Sequence, residues 1–157
     1  MPEITGLDHV GLAAENPMEF ARFYRDLFGM HDAGCSPSTD VRTGSAFLTS
    51  RPGRAHHELV FFQQAANAHV AFRVASLAEL RAWYAEIRSR GLPILQALYH
   101  GDSYAFYFPD PEGHTIELCW PTGRTDLDGL DEPIDLDESE EGLLGFAECL
   151  ARPPSGV

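Results

Sequence analysis

The apolar and polar positions of the chain follow one pattern twice, at a spacing of sixty residues. The segment His9-Val10-Gly11-Leu12 returns as His69-Val70-Ala71-Phe72. In each copy, a short alternating segment is followed by apolar residues at helical spacing and then by further short alternating segments. Self-similarity at a fixed spacing is the mark of a repeated structural unit. The pattern therefore predicts two copies of a βαβββ module.

The pattern predicts one helix in each copy, over residues 17–28 and 77–90. Asn16, followed by a proline, and Ser76 are expected to begin these helices, because their side chains can accept a backbone hydrogen bond there. Gly29 and Gly91 are expected to end them, because glycine readily adopts the left-handed conformation. The other strand candidates are residues 30–33, 45–48, 57–62, 93–99, 104–108 and 114–120, of which the first is weak.

These elements predict an α+β fold in one domain, residues 1–157. The first module spans residues 5–63 and the second spans residues 67–120. Each sheet has a helix on one face only, so two copies can wrap their open faces around a shared cavity as a half-open barrel. The simplest interpretation of residues 121–157 is a solvated acidic extension. The sequence also allows a short helix near residues 139–151, which would pack on the domain, on a second copy or over the cavity.

Alternation along four strands directs polar side chains to one side of the sheet. In each of these strands, apolar residues occupy one face and a polar residue lies opposite them. The apolar faces must pack under the helices, so the opposite faces line the cavity. The polar side chains expected to point there are His9, His69, Tyr107 and Glu117.

Two imidazoles and one carboxylate that converge on a cavity form the 2-His-1-carboxylate set. This set suits non-haem Fe(II), because three protein ligands on one face leave adjacent positions open for substrate and oxygen. A buried carboxylate without a partner is costly, which favours a ligand role for Glu117. We therefore expect His9, His69 and Glu117 to bind Fe(II), with Mn(II), Ni(II) or Zn(II) as alternatives.

Charge and composition exclude several other classes of protein. The formal net charge is −13, and residues 121–157 hold ten acids against two arginines, so nucleic-acid binding is not expected. No apolar run is long enough to span a membrane, and the first residues do not resemble a secretory signal. Cys35, Cys119 and Cys149 form no metal-binding or disulfide pattern, which favours reduced thiols and a cytoplasmic location.

The segment from His100 to Glu117 reads HGDSYAFYFPDPEGHTIE. It resembles the signature of type I extradiol ring-cleavage dioxygenases, with Leu98 as a minor departure. Together with the repeat and the predicted ligands, it makes residues 5–120 similar to the vicinal oxygen chelate superfamily, which includes glyoxalases, bleomycin resistance proteins and dioxygenases. The resemblance implies a single-pair extradiol dioxygenase that cleaves a catecholic aromatic ring with O2, and a homodimer or higher homo-oligomer.

The resemblance also implies roles for individual residues. His9, His69 and Glu117 would be the iron ligands. Tyr107 and His100 would hydrogen-bond the substrate oxygen, and His57 would be the acid–base histidine that takes a substrate proton. An imidazole is suited to that role near neutral pH.

Two alternatives remain open from the sequence. His57 and Glu58 lie on opposite faces of one predicted strand, so only one of them can face the cavity. If Glu58 faces it, four protein ligands would favour Ni(II) or Zn(II) and glyoxalase-like lyase or isomerase chemistry. Some members of the superfamily are metal-free binding proteins of the resistance type, which is the second alternative.

Overall fold

The computed structural model describes residues 1–36, 44–53, 57–124 and 130–151, apart from the side chains of Cys35 and Ser36. The fold is α+β with a multi-stranded sheet that does not close into a barrel, which confirms the predicted fold class. The chain divides into two compact units, Leu7–Ala71 and Met1–Gly6 with Phe72–Val157. The module boundaries proposed from the sequence remain predictions.

The unit Leu7–Ala71 has the strand order β2-β3-β4-β1, in which β1 and β4 run parallel. Antiparallel pairs join β2 to β3 and β3 to β4. A 3-10 turn at Ala65–Asn67 leads into the next strand. The elements are β1 (Gly6–Ala13), α1 (Pro17–Phe28), β2 (His31–Ser36), β3 (Ser45–Thr49), β4 (Leu59–Phe62) and the beginning of β5 (His69–Arg73).

Helix α1 has the bounds that its sequence predicts. The side chain of Asn16 accepts a hydrogen bond from the backbone N–H of Glu19 at 3.3 Å, and proline occupies the first helical position. Gly29 ends the helix in the left-handed conformation, with φ of 67°. The buried face of the helix packs on β3 and β4, where Leu48 and Phe61 are fully buried.

The second unit has the strand order β8-β7-β6-β9, and all of these neighbours are antiparallel. Helix α2 (Leu77–Ser89) is capped by Ser76, whose hydroxyl accepts a hydrogen bond from the backbone N–H of Glu79 at 3.1 Å. The elements are the end of β5, α2 (Leu77–Ser89), β6 (Gln96–Tyr99), β7 (Ser103–Pro109), β8 (Thr115–Pro121), β9 (Glu132–Pro133) and α3 (Glu140–Ala151).

The described part of the acidic C-terminal segment, residues 130–151, is packed into the core of this unit. Leu136, Leu143 and Ala147 are at most 5 % exposed and pack in one cluster with Tyr99 and Tyr104. The hydroxyl of Tyr104 donates to the carbonyl of Leu143 at 2.8 Å. The expectation of a solvated extension is therefore wrong for these residues, because apolar side chains spaced along the acidic sequence bury against β6 and β7.

Two smaller observations concern the predictions of strands and location. Strand β4 begins at Leu59, so His57 and Glu58 precede it rather than lie within it. Among the described residues, no disulfide involves Cys119 or Cys149, and the side chain of Cys35 lies outside that part of the chain. No helix in the described ranges has the length and hydropathy needed to cross a membrane.

Candidate active site

Two of the predicted ligands, His9 on β1 and His69 on β5, meet within the unit Leu7–Ala71. Their Nε2 atoms lie 2.8 Å apart, and their rings are nearly perpendicular, with an interplanar angle of 84°. His9 is 7 % exposed. The alternation that placed each histidine opposite its apolar neighbours thus brings the two imidazoles together from strands sixty residues apart.

The other ring nitrogen of each histidine has an acceptor as its partner. His9 Nδ1 lies 2.8 Å from Oδ1 of Asp8, and His69 Nδ1 lies 2.7 Å from the carbonyl oxygen of Asn67. A carboxylate and a carbonyl only accept, so Nδ1 carries the hydrogen in both rings. In the neutral imidazoles the two Nε2 lone pairs then face each other, an arrangement that a shared cation would stabilise. Such acceptors behind metal-binding histidines fix the tautomer and the ring orientation.

His57 faces His9. The centroids of the two rings lie 4.3 Å apart, and the ring of Phe47 packs against His57 at 5.0 Å in an edge-on arrangement. The imidazole of His57 therefore lies between the ring of His9, a predicted metal ligand, and the ring of Phe47.

The carboxylate of Glu58 is held by the β3–β4 connection. It accepts a hydrogen bond from the backbone N–H of Ser50 at 2.5 Å and pairs with Arg51 at 2.8 Å. The hydrogen bonds to Ser50 and the charge of Arg51 lower the pKa of Glu58 below its usual value, despite some desolvation. Of the two neighbours, His57 is the one directed at His9.

The other unit contains His100, Tyr107 and Glu117 in one connected group. Tyr107 on β7 and Glu117 on β8 are register partners, 7 % and 3 % exposed. The Nε2 atom of His100 lies 2.9 Å from the Tyr107 hydroxyl. Burial, followed by the charge of Glu117 and a hydrogen bond to it, holds the pKa of Tyr107 well above its usual value. Tyr107 therefore stays a neutral phenol that can donate.

The predicted ligands His9, His69 and Glu117 are of the residue types that bind divalent metal ions. Each residue offers one ligand atom, two imidazole nitrogens and one carboxylate oxygen. These are the donor types of non-haem Fe(II) and Mn(II) sites. Glu117 is 3 % exposed, and burial of an ionised carboxylate is costly unless hydrogen bonds or a cation compensate it.

A profile of the Glyoxalase/Bleomycin resistance protein/Dioxygenase superfamily matches residues 6–118. The chain belongs to this superfamily. The description of the superfamily names glyoxalases and dioxygenases among its members.

A curated superfamily relative is biphenyl-2,3-diol 1,2-dioxygenase 3 of Rhodococcus globerulus. It is 27 % identical over 117 residues, which cover 71 % of this chain and 61 % of the relative. The chain thus spans about three fifths of that protein's length.

Two of the solved structures that share the fold are a glyoxalase and a dioxygenase. The Mn(II)-bound glyoxalase of Novosphingobium aromaticivorans has a TM-score of 0.62 at 18 % identity, over 86 % of this chain and 43 % of that one. Homoprotocatechuate 2,3-dioxygenase of Arthrobacter globiformis has a TM-score of 0.61 at 23 % identity, over 85 % of this chain and 38 % of that one. At these identities the likeness establishes the fold.

Two residues near the site escaped the sequence analysis of this superfamily member. A Cβ atom on Gly11 would lie 2.7 Å from the ring of Phe62 and 3.2 Å from the ring of His69, so glycine at this position leaves room for both rings. Gly11 and Ala71 occupy equivalent positions of the repeat, so the sequence shows that a small residue recurs there. It does not show which side chains the small residue contacts.

The second residue is Asp131. Its Oδ1 atom lies 2.6 Å from Nδ1 of His100, and the carbonyl oxygen of Leu130 lies 3.3 Å from the same nitrogen. Asp131 is one of ten acids in residues 121–157, and no local pattern distinguishes it from the others. Only the pairing of β9 with β6 identifies it.

Proposed function

We propose that the protein is an Fe(II)-dependent extradiol dioxygenase that cleaves the ring of a catecholic substrate with O2. The observation that carries the proposal is the orientation of His57 toward His9, with Glu58 held by Ser50 and Arg51. With Glu58 engaged elsewhere, the proposed ligand set has three members, His9, His69 and Glu117. Three protein ligands leave adjacent positions for two further molecules.

The three ligands would hold the iron, and the histidine orientations support this. The Nε2 atoms of His9 and His69 lie 2.8 Å apart, with Asp8 and Asn67 as the acceptors at Nδ1. Bound Fe(II) would supply a Lewis-acid and redox centre where catechol and O2 can be held side by side. Glu117 would contribute the negative charge that offsets part of the charge of the metal.

The remaining residues would bind the substrate and move its proton. Tyr107, a neutral phenol beside His100, would donate a hydrogen bond to a catechol oxygen and orient the ring. His57 would accept a proton from the second substrate hydroxyl at an imidazole nitrogen and return it later. The aromatic ring of Phe47 would keep this imidazole in place and shield it from water.

The first test is metal loading followed by an activity assay. Protein prepared without oxygen is offered Fe(II), Mn(II), Ni(II) and Zn(II) separately, and metal content is read beside O2 uptake with 2,3-dihydroxybiphenyl. We expect about one Fe(II) per chain and stoichiometric O2 consumption with Fe(II). His69→Ala should lose both metal and O2 uptake, because one of three ligands is removed. His31→Gln changes an exposed histidine and serves as the matched control.

The contrary outcomes are specific. Ni(II) or Zn(II) binding without O2 uptake would indicate lyase or isomerase chemistry. A protein that binds no metal but retains an aromatic ligand would indicate a binding protein of the resistance type. Full iron content in His69→Ala would exclude the proposed ligand set.

The proposal extends to location and assembly. A reducing cytoplasm suits the cysteines, and assembly into a homodimer or larger homo-oligomer is expected from the superfamily. Light scattering of the purified chain would measure its mass in solution, and a monomer would contradict the second part.

A further inference from the structure

The imidazole of His100 is held from both sides within the unit that contains Phe72–Val157. Its Nε2 atom lies 2.9 Å from the hydroxyl of Tyr107, and its Nδ1 atom lies 2.6 Å from Oδ1 of Asp131. The pair of His100 and Asp131 joins residues thirty-one positions apart, one before β7 and one just before β9.

We propose that Asp131 is a positioning residue for His100, and that the acidic C-terminal segment is thereby part of the active site. Its carboxylate fixes the ring so that Nε2 faces the Tyr107 hydroxyl. The relevance to turnover rests on the proposed function, whereas the coupling of the two side chains does not.

Strand pairing places Asp131 beside His100. Strand β9 pairs with β6, with Glu132 opposite Tyr99 and Pro133 opposite Leu98. Asp131 therefore comes next to the residue that follows Tyr99, which is His100. Leu136, 1 % exposed, anchors the same segment in the core.

The hydrogen bonds determine what His100 can offer Tyr107. The carboxylate of Asp131 only accepts, so Nδ1 carries a hydrogen. Burial alone would lower the pKa of His100, but the hydrogen bond to Asp131 and the charges of Glu117, Asp131 and Asp102 outweigh it and raise the pKa. In the imidazolium, Nε2 donates to the oxygen of Tyr107. The hydroxyl hydrogen of Tyr107 is then directed away from His100 and toward Glu117, with which Tyr107 shares a hydrogen bond. A bound substrate oxygen would accept this hydrogen in place of Glu117.

The test follows His100 directly, by NMR of the protein labelled with isotopes in its histidine rings. The His100 signal is assigned from its absence in His100→Gln. In Asp131→Asn we expect the titration midpoint of His100 to fall by about 1 to 3 pH units, because the facing negative charge is lost. Asp131→Glu should restore part of the shift. Glu132→Gln removes the same charge one residue away and should leave the midpoint unchanged. An unchanged midpoint in Asp131→Asn overturns the inference.

Activity supplies a second and separate measure. With Fe(II)-loaded protein and 2,3-dihydroxybiphenyl, Asp131→Asn should lower kcat about tenfold or more while KM changes by less than about threefold. A variant that merely loosened the fold would lower the active fraction without moving the His100 midpoint. A lowered midpoint with kcat equal to that of the unmodified protein would exclude a role in the reaction. If the unmodified protein consumed no O2, the proposed function would fail, and the midpoint would still decide whether Asp131 controls His100.

Discussion

His57 and Glu58 are adjacent in the chain, but their side chains have different surroundings. His57 packs between the rings of His9 and Phe47, while Glu58 accepts hydrogen bonds from the β3–β4 connection. Both residues lie just before β4, and Ser50 lies just after β3. The backbone N–H of Ser50 is therefore close enough to donate to the carboxylate of Glu58. It matters for chemistry, because Glu58 as a fourth protein ligand would occupy a position that an oxygenase leaves open.

The structural role of the Glu58 carboxylate can be tested by measuring stability at two pH values. Folding lowers the pKa of Glu58 below its ordinary value of 4.5. Its contribution to stability is therefore complete above about pH 4.5 and is lost as the pH falls below that value. We expect Glu58→Gln to lower the free energy of unfolding by up to about 1 kcal/mol at pH 7. The difference from the unmodified protein should shrink at pH 4. Urea unfolding at both pH values measures it.

The same variant should bind as much metal as the unmodified protein. Glu15→Gln removes one charge from an exposed position of the same unit and is the control for a general charge effect. Loss of metal in Glu58→Gln alone would mean that this carboxylate is a ligand and would favour the glyoxalase-like alternative.

Some side chains of the site could be predicted from the sequence because they follow local rules. The period of two along a strand placed His9 and His69 on the face opposite their apolar neighbours, and the structure brings their Nε2 atoms within 2.8 Å. The contact of Asp131 with His100 and the space beside Gly11 depend on pairing between distant segments. Neither leaves a local pattern, so neither could be predicted.

At the scale of elements, helices were easier to predict than strands. The bounds of α1 agree with the prediction because Asn16 and Gly29 cap it locally. Strand β6 begins at Gln96, three residues later than predicted, because a strand begins where a partner can pair with it. The predicted weak strand at residues 30–33 extends to Ser36, through a register shift between Asp32 and Gly34. A strand as short as β9 has no pattern of its own.

Helix α3 supports the unit on which it packs, and this can be measured. Leu143 is 2 % exposed within the core cluster, and its carbonyl accepts from Tyr104. We expect Leu143→Ala to lower the free energy of unfolding by about 2–5 kcal/mol, because a buried cavity forms. Leu144→Ala, at a neighbouring position that is 39 % exposed, should cost much less. Equal losses in the two variants, measured by urea unfolding, would contradict the packing of α3.

A solvated extension, as the sequence predicts for residues 121–157, could be removed without loss of core packing. The structure changes that expectation, because residues 130–151 bury core side chains and contact His100. High charge was a poor guide to exposure here. The acidic residues between Asp135 and Glu148 are exposed, while Leu136, Leu143 and Ala147 occupy the buried positions of the same segment.

At the scale of the whole molecule, the formal charge of −13 acts on any charged substrate. Like charges repel over a Debye length of about 10 Å at 0.1 M salt. We therefore expect kcat/KM for an anionic catechol such as 3,4-dihydroxyphenylacetate to rise about twofold or more between 10 mM and 200 mM salt. Neutral catechol, assayed in the same series, should show little change. A rise of the same size for both substrates would mean that salt acts on the activity of the protein independently of substrate charge, and would contradict charge repulsion.

The contact between His100 and Asp131 also has a consequence for the order in which the protein is made. A ribosome completes His9, His57, His69, Tyr107 and Glu117 well before it reaches Asp131. A chain that ends early, or that a protease clips ahead of β9, therefore keeps the proposed metal ligands but lacks the carboxylate that holds His100. Such fragments would also lack the buried side chains of residues 130–151, so one truncation would remove core packing and the partner of His100 together.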